Sequence, residues 1–318
     1  MPSVLPLDPP QRLVRAVAAQ PGAEAVATAQ EWLAHLPALL ERRLEQWELT
    51  AERVVSPGGR SSLLVLVRQA DGSPAALKLN APDGAEAAVR TAREYEALTR
   101  WHGLAAVRVL RAAPEEGALL LERLRCEVSL RSLPEAKATL EAVSAVRRLW
   151  VPAGDDTAFE TVAAHTESEA ALMRDAAPEE ARPLVDAALE ARATLLAEPP
   201  EGEDSVLLHG DFRQGAVLGA AAAADRAPWL TVGPDPLVGE PAYDLARLVR
   251  DRLHDLMASS GAAAVTRRRV NKLADSLDVP RERVRLWALY RAVESAVRQS
   301  AGGNRADAEM LLEFASWL

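Results

Sequence analysis

The sequence predicts an α+β protein, with a small β-rich N-terminal lobe followed by a larger, mainly helical C-terminal lobe. Three observations carry this expectation. Between Val54 and Leu79 lie three short apolar runs separated by Pro-Gly-Gly and Asp-Gly, both turn signals, which is the pattern of an antiparallel meander. From Ser132 onward the apolar residues recur almost everywhere at helical spacing. One strand-loop-strand, centred on "HGDFRQGAVLG" from His209, interrupts that helical half.

Taken in order, residues 8–47 read as helical, because Trp32, Leu33, Leu36, Leu39, Leu40 and Leu44 fall near one face. The meander follows: Val54 and Val55, then Leu63 to Val67, then Ala75 to Leu79. "GAEAAVRTAREYEALTRW" returns to helical spacing, and "AVRVLRAA" and "GALLLERL" read as two further strands. Three strands, a helix and two strands make one lobe ending near Leu124, so the chain divides into 1–124 and 125–318. In the second part helices are expected over 134–150, 156–175, 178–197, 241–258, 263–276, 280–301 and 305–317. "AAAADRAP" reads as a low-complexity turn and "WLTV" as a short strand. The helix beginning in "DVPRERVRLW" has an Asp as its expected cap and a Pro in its first turn.

Composition bounds the function. A chain of 318 residues with 49% hydrophobic and 26% charged residues has the balance of a globular protein with a large core. No run of 18 apolar residues spans a membrane. The first residues lack a basic stretch followed by an apolar one, so no secretory signal is read there. The single cysteine, Cys126, makes neither an internal disulfide nor a zinc framework. The expected location is the cytoplasm. A net charge of −9 argues against nucleic acid as a partner, since such binding needs phosphate-neutralising basic surface.

Of 37 basic residues only three are lysines: Lys78, Lys137 and Lys272. A lysine inside the apolar strand "AALKLN" therefore invites a specific reason, and a compact point charge is one that the planar guanidinium does not imitate. Phosphoryl transfer of the kinase type needs a glycine-rich turn over the phosphates, a strand lysine, a helix glutamate to hold it, a loop Asp as base, and further oxygen ligands for magnesium. Candidates occur in that order. Gly58, Gly59 and Ser61 sit in the turn "SPGGRSS"; Gly-Gly is also an ordinary hairpin turn. Lys78 follows, then Glu94 on the next helix. Asp211 of "HGD" is placed to accept a hydroxyl proton, while His209 reads as a structural buttress of the loop.

These pieces resemble the aminoglycoside phosphotransferases, most of all the branch of streptomycin 6-kinases and hydroxyurea-type resistance kinases. The matching stretches are "GGRSSLLVLVRQADGSPAALKL", "REYEALTRWHGLAAVRVLRAAPEEGALLLERL", "LLHGDFRQGAVL", "PWLTVGPDPLVGEPAYDLARLVRD" and "VPRERVRLWALYRAVESAV". Together they run from about residue 47 to 300. The resemblance implies a bilobal protein-kinase-like fold with ATP between its lobes. It assigns Lys78 to the nucleotide phosphates, Glu94 to orienting Lys78, the backbone from Glu122 to Leu124 to the adenine, and Asp211 to the catalytic base. The acceptor it implies is a small molecule, cationic and aminoglycoside-like, over the helical lobe. Glu240 has two readings there: an acidic contact for such a cation, or a cap on the helix starting at Pro241.

Two positions depart from the family pattern. The loop normally reads HGD, four residues, then Asn; here the Asn position is Ala216. The second metal ligand is the Asp of an Ile-Asp-Pro segment; here that position is Gly233. A methyl group and a hydrogen offer nothing to a hard cation that takes oxygen ligands. Gln214 and Asp235 are the nearby candidates to replace them. Two readings follow: an ATP-dependent small-molecule kinase impaired at its magnesium site, or a pseudokinase retained as a ligand-binding or regulatory module with a protein partner.

Overall fold

The computed structural model describes residues 7–18, 23–82, 87–154, 158–198, 205–221 and 226–318. The chain forms two compact units: Met1–Glu127 with Gly219–Pro228, and Val128–Leu218 with Trp229–Leu318.

In the first unit, helices α1 (Gln11–Ala18) and α2 (Ala23–Gln46) precede strands β1 (Thr50–Val54), β2 (Ser62–Arg68) and β3 (Pro74–Asn80). Helix α3 (Ala87–Arg100) and strands β4 (Val109–Ala113) and β5 (Ala118–Glu122) follow. The five strands make one antiparallel sheet in the order β1-β2-β3-β5-β4. Period-two alternation gives the sheet two apolar faces. Leu63, Val65, Val67, Leu77, Leu79 and Leu120 point to one of them, where Leu13 and Val17 of α1 and Leu36 and Leu40 of α2 cover them. The helical segment expected over 8–47 is therefore two helices, spent on this sheet; residues 19–22 lie outside the described set. Alternation sends Lys78, paired in register with Leu64 and Leu119, to the other face, where α3 meets it.

Strand β6 (Arg125–Ser129) leads out of β5. The second unit holds α4 (Glu135–Arg147), β7 (Val151–Pro152), β8 (Glu160–Thr161), α5 (Val162–Ala176), α6 (Arg182–Ala197), β9 (Val206–Leu208), β10 (Val217–Gly219), β11 (Trp229–Thr231) and β12 (Leu237–Gly239). It ends with α7 (Pro241–Val249), α8 (Leu253–Met257), α9 (Ala262–Leu277), α10 (Arg281–Ala301) and α11 (Arg305–Ala315). A small sheet runs β7-β9-β12-β8, with β12 antiparallel to β9 and parallel to β8. Helix α10 is the pillar of this unit: Val284, Trp287, Tyr290, Val293 and Val297 are buried against α5, α6, α7, α9 and α11. Trp287 meets Tyr243 and Tyr290 edge-on, with ring centroids 5.1 and 5.7 Å apart.

The structure corrects several boundaries. The helix expected over 241–258 is broken into α7 and α8, with Arg252 in the left-handed region at φ 56°. The helix expected to begin at 156 begins at Val162, where the Thr161 hydroxyl accepts the N–H of Ala164. The one expected to begin at 178 begins at Arg182 after a single tight turn, Glu179–Ala181. Asp278 does not cap α10: it closes α9 in a left-handed conformation, φ 62°, and Pro280 occupies the N-cap position instead. Strands β7, β8 and β12 have two or three residues each, too short for alternation to show. Of "AAAADRAP", residues 222–225 lie outside the described set. No helix among the described residues is long and apolar enough to cross a membrane.

Candidate active site

In the first unit, Lys78 Nζ stands 2.6 Å from each carboxylate oxygen of Glu94. Both side chains are largely buried, at 13% and 4% exposure, so the pair is desolvated and its geometry is fixed. The Asn80 amide donates to Glu94 at 3.0 Å and to the Thr91 hydroxyl at 3.1 Å, which satisfies a second carboxylate lone pair. Strand β3 fixes the lysine and α3 the glutamate, sixteen residues apart in sequence.

The turn between β1 and β2 carries Gly58, Gly59 and Ser61. Gly58 has φ +66°, and a Cβ there would lie 2.8 Å from the Val55 carbonyl oxygen, so the turn requires glycine. Ala81 N–H donates to the Ser61 carbonyl at 2.8 Å, tying the turn to the end of β3. At the end of β5, the Glu122 carboxylate accepts from the Arg108 N–H at 2.8 Å and from Arg226 at 2.6 Å. Leu124 is buried, and its carbonyl accepts from Cys126 N–H.

In the second unit the HGD loop lies between β9 and β10. Its backbone is held from below by α7: the Asp244 carboxylate accepts the N–H groups of His209 and Gly210, each at 2.9 Å. Arg291 of α10, stacked 4.2 Å over the Tyr243 ring, donates to the Gly210 carbonyl at 2.7 Å. Gly210 has φ +75°, and a Cβ there would fall 1.8 Å from the Asp235 carbonyl oxygen. His209 is fully buried, edge-on to Phe212, with Nε2 3.2 Å from the Val232 carbonyl. Burial pushes its pKa down and keeps the ring neutral.

Asp211 is partly open, with 26% of its side chain exposed. Arg247 Nε lies 2.9 Å from one of its oxygens and Arg213 Nε 3.2 Å from the other. Burial alone would raise this carboxyl, but the Arg247 and Arg213 guanidiniums bring it down to about 2. It is held as a carboxylate between two cations.

The expected metal positions do not fit magnesium. Ala216 is buried at 3% exposure in a tight turn, Gln214–Ala216, and its carbonyl accepts from Val232 N–H. Gly233 has no side chain, although a Cβ there would meet nothing within 4 Å. Gln214 is buried, with its side-chain amide oxygen accepting from Arg252 Nε at 2.8 Å and its backbone N–H donating to the Asp251 carboxylate at 2.5 Å. Asp235 N–H donates to the His209 carbonyl, and its charge raises the pKa of His165. Among the described residues no three His, Cys, Asp or Glu side chains gather as a metal-ligand group. Ala216 and Gly233 offer no side-chain oxygen, and the Gln214 amide oxygen is held by Arg252, so these positions do not fit magnesium.

Glu240 overturns both expectations for it. It stands at the N-cap position of α7 but makes no side-chain capping bond. Its carboxylate receives Arg283 at 2.5 and 2.6 Å and the Trp287 indole N–H at 2.6 Å, and it is 7% exposed. It fixes α10 to the start of α7.

Sequence reasoning missed the supports of the loop: Asp244, Arg291, Asp251 and Arg252. The signals were an acid in the first turn of the very apolar "PAYDLARLV", and a basic-acidic pair breaking a helical run at "RDR". It also missed His165, whose ring nitrogens lie 3.4 Å from Glu160 and 3.3 Å from Glu169, the latter one helical turn along α5.

Comparison with known proteins agrees with this architecture. Residues 46–303 match the family described as aminoglycoside/hydroxyurea antibiotic resistance kinase. The chain is 34% identical over 285 residues to streptomycin 6-kinase of Streptomyces glaucescens, covering 87% of each chain. It is 33% identical over 284 residues to hydroxyurea phosphotransferase of Kitasatospora aureofaciens, covering 87% of this chain and 77% of that one. The ADP-bound aminoglycoside phosphotransferase APH(2'')-Ib superposes with a TM-score of 0.54 at 15% identity over 88% of this chain and 98% of that one; this likeness concerns the fold alone. With its β-sheet lobe, its helical lobe and the HGD loop in their expected order, the chain belongs to the aminoglycoside/hydroxyurea antibiotic resistance kinase family and has the bilobal protein-kinase-like fold.

Proposed function

We propose that this protein is a cytoplasmic small-molecule phosphotransferase that takes the γ-phosphoryl group of ATP to a hydroxyl of a cationic, aminoglycoside-like acceptor, with turnover impaired by the loss of oxygen donors at Ala216 and Gly233. The observation that carries the phosphotransferase reading is the buried Lys78–Glu94 pair, 2.6 Å apart, which leaves one oriented ammonium for nucleotide phosphates. Gly58, Gly59 and Ser61 belong to the phosphate side of that reading, and the backbone from Glu122 to Leu124 to the adenine. Asp211 is the base for the acceptor hydroxyl. An antibiotic-like acceptor is supported by the 34% identity to a streptomycin 6-kinase, and nucleotide binding by a similar fold that holds ADP.

In this class of reaction magnesium would supply neutralisation of the charge that develops on the phosphates, and individual electrostatic contributions of that kind are each worth about 3–4 kcal/mol. The impairment should therefore span several orders of magnitude in rate. The test is calorimetric titration with ATP, in magnesium and again in EDTA, together with a turnover assay on streptomycin. Equal binding in both conditions with barely measurable turnover is expected. Magnesium-dependent binding with turnover that Asp211→Ala abolishes would sink the impairment.

A second reading, a pseudokinase that binds a ligand or a protein partner, is favoured by one observation: both Asp211 oxygens face guanidiniums, and a carboxyl held at about 2 is a weak base. It predicts that Asp211→Ala leaves the biological effect of the protein unchanged.

A further inference from the structure

We propose that Arg213 and Arg247 form an anion site on the HGD loop, which takes a phosphate-type group without a divalent cation. The proposal deepens the phosphotransferase reading and rests on it. In place of the carboxylate and amide that would gather a metal, the second unit brings two guanidiniums to Asp211.

Both reach that carboxylate through Nε. Neither has another hydrogen bond or ion pair to a described residue, so the terminal amino groups of each fork remain available. The two side chains are 41% and 31% exposed, so neither is closed off from solvent. The two cations share the one carboxylate they touch, Asp211. The planar fork matches two oxygens of a phosphate at once.

The loop is also shaped for this placement. A Cβ at Gly215 would lie 2.9 Å from an Arg213 terminal nitrogen, so the glycine lets that guanidinium lie across the turn. Behind the pair stand two more cations, Arg291 buried and Arg250 half-buried. Arg291 donates to the Gly210 and Tyr243 carbonyls, and Arg250 donates to the Arg291 carbonyl and the Ser295 hydroxyl. Burial lowers the pKa of Arg247, and the charges of Arg291 and Arg213 lower it further, against the opposing pull of Asp211. An added anion relieves that repulsion. Asp211 acts as the resident counter-ion, which a bound phosphate competes with for the same two guanidiniums.

The experiment is calorimetry of the full chain with sodium tripolyphosphate in EDTA, repeated in magnesium, with ATP as a parallel probe. The wild type should bind tripolyphosphate in EDTA. Arg213→Gln combined with Arg247→Gln should weaken that binding at least tenfold, each single variant should lie between, and Asp211→Asn should strengthen it severalfold. Arg247→Lys keeps the charge but loses the fork, and should fall between wild type and Arg247→Gln. Arg305→Gln, at the exposed start of α11, should change nothing. Matched thermal unfolding midpoints establish that each variant is folded; should the double variant unfold, the two single variants and Arg247→Lys carry the test. No binding in EDTA, or equal binding by wild type and the folded glutamine variants, overturns the site. Tripolyphosphate binding equal in wild type and the folded double variant, with ATP binding lost in Lys78→Met, would remove the anion site and leave the nucleotide reading standing. Tripolyphosphate binding lost in the double variant, with no ATP binding at all, would keep the anion site and remove the nucleotide reading.

Discussion

Lys78 and Glu94 meet as a buried ion pair, with Nζ 2.6 Å from both carboxylate oxygens and the Asn80 amide as a third member. Removing one partner of such a pair leaves an uncompensated buried charge, at a cost of about 3–5 kcal/mol. Lys78→Met and Glu94→Gln should each destabilise the protein on that scale in urea unfolding, and the double variant should cost clearly less than their sum. Additive losses would show that the two side chains do not depend on each other.

Gly210 lies where the HGD backbone passes under Asp235. A Cβ 1.8 Å from the Asp235 carbonyl oxygen, added to a left-handed φ, leaves no room for repacking. Gly210→Ala should cost more than about 4 kcal/mol or prevent folding. A variant with a melting temperature near that of the wild type would contradict this packing.

The metal positions can be refilled. Ala216→Asn with Gly233→Asp restores an amide and a carboxylate oxygen. Asn at the buried position 216 should cost about 1–3 kcal/mol in crowding, and Asp at φ +64° about 1–2 kcal/mol. The double variant should bind ATP more tightly in magnesium than in EDTA, a difference that the wild type lacks. Calorimetry in the two buffers reads it directly.

Asp211 has a depressed pKa, so its contribution is present above the ordinary carboxyl value of 3.8 and is lost as pH falls through about 2. The difference corresponds to about 2 kcal/mol. Asp211→Asn should therefore lower stability by that order at pH 7, and the gap to wild type should narrow markedly by pH 3. A gap independent of pH would mean that the two arginines are not its source.

His165 carries the opposite sign. Burial works against its charged form, but Glu169, Asp235 and Glu160 prevail and raise its pKa above 6.5. A raised histidine contributes stability that is complete below 6.5 and is lost as pH rises through the folded value. Urea midpoints should fall from pH 6 toward pH 9, and His165→Asn should flatten that slope.

The residues themselves determined the fold class, the order of the lobes and the identity of the loop. Turn signals, alternation and helical spacing are local properties, and Pro-Gly-Gly, "AALKLN" and "HGD" state them within a few residues. The sixteen-residue spacing of Lys78 and Glu94 was legible for the same reason, because a strand and the next helix fix it. Tertiary structure alone decided who partners whom. Glu240 reads as an exposed acid or a cap until Arg283 and Trp287 of α10 arrive on it from more than forty residues away. The run from 241 to 258 reads as one helix because nothing nearby shows that Asp251 and Arg252 must turn out of it to hold Gln214. Asp211 reads as a free base until Arg247 is folded against it. Periodicity reports which face of an element is buried, whereas charge pairing across the core depends on how distant elements pack, and that information exists only in three dimensions.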